Sequence, residues 1–246
     1  MTLDLWTKTS GTWINALTVI IGTTIGLLLK KHLPSRLQQI ITQAVGLITI
    51  FIGFQMAGSF SQVRNTKIDG IVLGLIALVI GGLLGEWWQL EEKLYSLGNI
   101  LKAQFRGSGF FTEGFVAASL LFCVGPMTII GSINNGLTGN NTLLLLKATM
   151  DGITSIALTS SFGIGVGFSV LVILIYQGGI SLLAGFFAQA LPNPANNPYL
   201  LLITGVGGLT IIGLGLNLLE IAKIRVASFL PALIIAPLIY LIIRWI

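Results

Sequence analysis

Lys147 and Asp151 stand four residues apart inside an otherwise apolar stretch, so a helix there puts an ammonium and a carboxylate on one face. If that helix starts near Thr142, Asp151 lies about 14 Å along it, close to the middle of a membrane. A carboxylate at such a depth costs several kcal/mol unless it is paired, and Lys147 is the obvious partner. Lys147 can instead snorkel outward, leaving Asp151 to face water or carry a proton. Thr154, Ser155 and Thr159 continue the polar side of the same helix. Just upstream, Ser132, Asn134 and Asn135 lie in a Gly-Ser-Ile-Asn-Asn-Gly run after the helix breaker Gly125-Pro126. That run reads as a loop, either an external turn or a re-entrant segment facing protein or a water-filled cavity. Gln177 and Asn217, with Asn15 and Gln43, are amides set in apolar runs and suited to interhelical hydrogen bonds. An intramembrane charge is either part of a solute pathway or a strut fixing helix register, and both readings stand at this point.

Other chemistries find few residues. One histidine, His32, and one cysteine, Cys123, leave no Cys/His metal cluster, no intrachain disulfide and no expected cofactor. Cys123 reads as a small packing residue. An aspartyl protease needs two facing carboxylates; Asp69-Gly70-Ile71 echoes Asp151-Gly152-Ile153, but Asp69 falls at a span entrance. His32 sits in a basic loop beside Lys30 and Lys31, which removes a serine–histidine mechanism. The expectation is a protein that is not an enzyme.

The surroundings of these residues must be a membrane. Of 246 residues, 54% are hydrophobic and only 9% charged, against about 25% charged in a soluble domain. The mean hydropathy is +0.94. The net charge of +5 comes with no basic patch interleaved with aromatics, so nucleic acid is not an expected partner. The first apolar run, from Trp13, is not expected to be a signal peptide, since it has no basic n-region and no small-residue cleavage site. Apolar runs at 12–30, 37–58, 69–88, 110–130, 142–162, 164–189, 199–218 and 228–245 predict an all-α polytopic bundle of about eight spans, with seven as the alternative. Lys30, Lys31, Arg36, Lys93, Lys102, Arg106, Lys223 and Arg225 then share one side, against Lys8, Arg64, Lys67 and Arg244 on the other. The positive-inside rule puts both termini outside the cytoplasm of a cell (inner or plasma) membrane. Between Glu86 and Phe105, Trp87, Leu90, Leu94, Leu97 and Leu101 form an apolar stripe, predicting an amphipathic helix at the interface.

Residues 41–54, ITQAVGLITIFIGF, and 203–216, ITGVGGLTIIGLGL, agree at six positions, and each follows a Leu-Pro loop, Leu33-Pro34 or Leu191-Pro192. As spans two and seven they cross in opposite senses, the pattern of an inverted repeat. The chain divides accordingly into a single transmembrane domain of four parts. These are a three-helix unit over 12–88, the amphipathic helix over 89–109, central broken helices over 110–163 and a second three-helix unit over 164–246.

The words Gly131-Ser132-Ile133, Gly136-Leu137-Thr138-Gly139, Lys147 and Asp151-Gly152-Ile153 resemble the YqgA/YdfK type of bacterial membrane proteins, a family of unknown function. With them go Tyr176-Gln177-Gly178-Gly179 and Gly215-Leu216-Asn217-Leu218-Leu219. The resemblance runs from Gly11 to Leu233 and implies a membrane protein without implying an activity. In such proteins an acidic residue often stands at the position of Asn135 and another near Asn140; the amides here leave that mouth uncharged. The reading reached is a transport protein, secondary transporter or channel-like, for a small polar or ionic solute. The pathway candidates are Lys147, Asp151, Ser132, Asn134, Asn135, Thr154, Ser155, Gln177 and Asn217. A scaffold in contact with lipid, alone or as a homo-oligomer, is the alternative, and an intramembrane enzyme a more distant one.

Overall fold

A computed structural model describes residues 4–63, 68–107, 109–184 and 197–245. Arg64, Lys67, the Leu191-Pro192 loop and the end of the 164–189 run therefore lie outside the described residues. The described residues are helical throughout, joined by turns and short 3-10 segments: α1 Leu5–Lys30, α2 Ser35–Ala57, α3 Gly70–Trp87, α4 Leu90–Gln104, α5 Phe111–Cys123, α6 Pro126–Thr138, α7 Thr142–Phe162, α8 Ser169–Leu182, α9 Pro198–Leu218 and α10 Ala232–Trp245. Among them, seven segments are long and apolar enough to cross a membrane, and α5 with α6, bent by 61° at their junction, makes an eighth.

α3 shows why these helices need lipid. Ile71, Leu75, Val79 and Leu83 point outward at four-residue steps, each more than half exposed. Gly70, Leu73, Gly74, Ala77, Gly81 and Gly85 are the buried ones. Large residues outside and small ones inside is the packing expected when tails, not water, surround the helix.

The chain forms two compact units, residues 1–45 with 95–190 and residues 46–94 with 191–246, so the divisions fall inside α2 and α4. In the second unit, α2 and α9 run antiparallel. A Cβ on Gly53 would stand 2.7 Å from the Gly208 carbonyl, and one on Gly46 3.3 Å from that of Gly215. α3 lies on α10, with Phe60, Leu73, Leu202, Val206, Ala232 and Tyr240 in one core. Arg225 pairs with Glu86 and Glu92, while Glu91 accepts the Ala227 N–H at 2.7 Å.

In the first unit α1 and α7 run parallel: Gly11 packs on Leu144, Gly22 on Gly152 and Ser155, and Gly26 on Ile156 and Thr159. Lys30 at the end of α1 donates to the Ser161 carbonyl at the end of α7. Two parallel spans need an odd number of crossings between them. α2, α3 and the bent α5–α6 pair counted as one supply three, which is the eight-span count.

Two sequence expectations change. Gly131 to Gly136 is helix, not loop. Pro126 opens α6, where its missing N–H costs nothing, and the helix ends at Gly139, whose φ of 75° suits glycine. α1 begins before Trp13, capped by Asp4; its polar first turns hid it because Ser10 and the Thr7 carbonyl are bonding to Asn135. Leu97 in α4 and Trp87 at the end of α3 stay 45% and 77% exposed, and the residues of α4 buried against protein are Gly98 and Leu101. Gly98 sets that face, since a Cβ there would crowd Thr112 and Phe115.

Candidate functional site

The first unit buries a connected set of polar side chains from three helices. α7 brings Lys147 and Asp151, which pair with each other as the four-residue spacing requires. α1 brings Asn15, whose Nδ2 donates to Asp151 Oδ2 at 2.9 Å and to Gln177 Oε1 at 3.0 Å. α8 brings Gln177, whose Nε2 donates to Thr12 Oγ1 at 3.3 Å. All five residues are at most 7% exposed. The bonds to Asp151 and Gln177 define which end of the Asn15 amide is which, because the reversed amide would set three oxygens against each other. That leaves Asn15 Oδ1 buried without a partner among the described residues.

Glycine permits this convergence. A Cβ on Gly22 would collide with the Gly152 carbonyl and Ser155 Oγ, so any other residue there would push α1 off α7. Ser155 itself bonds to the Gly152 carbonyl at 2.8 Å and to that of Val19 at 3.4 Å.

The break between α5 and α6 lies beside the pair. The Phe122 ring, in the last turn of α5, has its centroid 6.0 Å from Lys147 Nζ. Cys123, next in sequence to Phe122, ends α5 and is buried. A helix C-terminus carries partial negative charge, so the end of α5 is a second favourable neighbour for an ammonium.

The other sequence candidates separate from this set. Asn135 is fully buried but acts as a clamp: it donates to the Thr7 carbonyl and Ser10 and accepts from the Gly11 N–H. Ser132 is fully buried on α6 with its hydroxyl unpartnered among the described residues. Asn134 and Thr154 are half-buried, and Asn134 offers its carbonyl to Thr138. Asn217 belongs to the second unit, where its amide makes two bonds to the backbone of Ile224 and closes the loop after α9. It is a local brace rather than an interhelical bond, and Gln43 is exposed. Asp69 caps α3 by accepting the Ile71 N–H. Thr12 was invisible as a site member, since a lone threonine in an apolar helix carries no signal until α8 is set against it. Among the described residues there is no group of three metal-ligating His, Cys, Asp or Glu side chains.

Seven to eight apolar segments long enough to cross a membrane, with an ion pair buried in the first unit, define a multi-pass, all-helical membrane protein. The chain belongs to the family described as Protein of unknown function (DUF554), whose model matches residues 10–241. It is similar to the uncharacterized membrane protein YdfK of Bacillus subtilis (strain 168), 36% identical over 234 residues, covering 95% of this chain and 96% of that protein. It is also similar to the uncharacterized protein YqgA of Escherichia coli (strain K12), 32% identical over 235 residues, with 92% and 94% covered. No solved structure matches the chain significantly.

Proposed function

We propose that the protein is a membrane transport protein for a small polar or ionic solute, with the cluster around Asp151 on its pathway and both termini outside the cytoplasm of the cell membrane. The observation that carries the reading is the meeting of a buried, incompletely bonded polar cluster with a broken helix. A strut needs only the Lys147–Asp151 pair. Three further polar groups and an orphaned acceptor exceed that need, and a buried polar group without a partner is costly to keep. Broken helices supply backbone polar groups at depth where a solute can use them.

An inverted repeat is part of the proposal, and each unit supports it separately. The matching words stand 162 positions apart, 41 against 203, which pairs Gly46 with Gly208 and Gly53 with Gly215. In the second unit Gly46 meets Gly215 and Gly53 meets Gly208, the exchanged contacts that a two-fold relation produces. In the first unit Asn15 and Gln177, also 162 apart, are bonded to each other.

Cys123 offers a direct test because it is the only cysteine and is buried beside the cluster. A transporter must open its site to water in some state. An impermeant cationic thiosulfonate should therefore modify Cys123 slowly in native membranes, and Ser155→Cys in a Cys123→Ser background should behave alike. If neither reacts while an exposed control, Asn140→Cys, is fully labelled, the scaffold alternative takes over.

A further inference from the structure

The cluster points to a kind of solute through its one carboxylate and the oxygens gathered around it. Asp151 Oδ2 already accepts from both Lys147 and Asn15. Gln177 Oε1 and Thr12 Oγ1 each accept one amide bond and, as oxygens, have a further lone pair. Asn15 Oδ1 has no partner among the described residues. The oxygens with lone pairs to spare that α1, α7 and α8 gather are a carboxylate, two amide oxygens and a hydroxyl, and of the spare hydrogens beside them, on Lys147, Gln177 and Thr12, only those of the paired ammonium carry charge. An anion would be repelled by the Asp151 carboxylate, and the one ammonium that could offset that repulsion is already paired with it. Soft transition metals want thiolate or imidazole, and neither belongs to this set. Calcium sites collect several carboxylates, whereas this one has a single carboxylate. One negative charge among neutral oxygens matches a single positive charge, and Lys147 is the group that supplies it in this state.

Lys147 also has another place to go. Its ammonium lies 6.0 Å from the centre of the Phe122 ring, within cation–π range, at the C-terminal end of α5. A cation arriving at Asp151 can displace it toward that ring and the negative end of the helix dipole without stranding a charge.

We propose that Asp151, Asn15, Gln177 and Thr12 form a binding site for an alkali-metal cation, in which the Lys147 ammonium is the resident stand-in that the ion displaces. This rests on the transport reading and narrows its solute, or the ion coupled to it, to sodium or potassium.

The test is thermal unfolding of the full chain in detergent, followed by tryptophan fluorescence. Sodium chloride and potassium chloride are titrated in separate series against choline chloride at constant ionic strength. In the parent Lys147 competes for Asp151, so the salt series are nearly flat. Lys147→Met removes the competitor: its Tm in choline should fall below the parent's and then rise by about 4 °C or more with sodium or potassium. Whichever ion gives the larger rise names the preferred one. Lys147→Met combined with Asp151→Asn should lose the rise. Lys147→Gln, which keeps a donor of similar length, reads the same effect should the methionine variant not fold. A lysine variant that melts alike in all three salts, or that only acidification stabilises, overturns the proposal in favour of water or a proton in the cradle. The assay reads binding and not opening to water. Its failure with Cys123 still reactive removes the cation and leaves the transport reading intact.

Discussion

Asp151 shows how one carboxylate can be tolerated at depth. Its charge is matched by Lys147 and one of its oxygens also accepts from Asn15, so removing any partner has a different consequence. Lys147→Met alone leaves a buried charge unpaired and should cost about 3–5 kcal/mol, whereas adding Asp151→Leu should return most of that loss. Thermal melting of the two variants measures both figures. The double variant also separates strut from site. A strut survives it with function intact, while a pathway folds and loses solute movement or the growth phenotype tied to it. Asn15→Leu strips Asp151 and Gln177 of a shared donor and should cost about 1–3 kcal/mol in the same melt. A null effect would mean that the amide bridges nothing of consequence.

At the scale of elements, α4 and the corner it forms make two sharper statements. Leu101 is buried and Leu97 is 45% exposed. Leu101→Ala should lower stability by about 2 kcal/mol or more, and Leu97→Ala should barely register. Equal losses would mean that the Leu97 face is packed as well as the Leu101 face. Burial raises the Glu91 carboxyl above the ordinary glutamate value, more than the Ala227 N–H, Arg225 and Ser228 lower it. An acid with a raised folded-state pKa binds its proton more tightly in the folded chain. Its stabilising share is then complete below the unfolded pKa and is lost as pH rises through the folded one. Melts taken from below that window to above it should therefore fall in Tm for the parent and stay flatter for Glu91→Gln, whose amide oxygen can still accept from Ala227. Parallel profiles would remove Glu91 as the cause.

For the whole molecule the testable quantity is sidedness. Eight crossings put the loops at Ser61 and Asn140 on the side of the termini and those at Ser35 and Lys223 on the opposite side, which the proposed orientation makes cytoplasmic. Each of the four is exposed, so single cysteines there, in a Cys123→Ser background, should report cleanly. An impermeant thiol reagent on intact cells should label Ser61→Cys and Asn140→Cys, and should reach Ser35→Cys and Lys223→Cys only after lysis. The inverse pattern would reverse the orientation while keeping the count. Labelling of Ser61→Cys without Asn140→Cys would contradict the crossing by α5–α6.

What the residues determined unaided was whatever depends on one segment at a time. Apolar length set the crossings at seven or eight, because a bilayer has a fixed thickness. The i,i+4 spacing set the Lys147–Asp151 pair, because a helix has a fixed pitch, and Pro126 set the break. The tertiary structure decided everything that needs two segments. Asn15, Gln177 and Thr12 join Asp151 only because glycines let α1 approach α7 and α8 returns antiparallel beside it. Asn135 and Asn217, alike in sequence as amides amid apolar residues, turn out to be braces because their neighbours happen to be backbone groups. Gly131 to Gly136 read as a loop because small residues are poor helix formers in isolation. It is helical because Leu144 and the Ser181 carbonyl occupy the space that larger side chains would need. Hydrogen-bond partners drawn from distant helices leave no local trace, since a polar residue carries the same propensity whether it meets a ligand, a carbonyl or another amide.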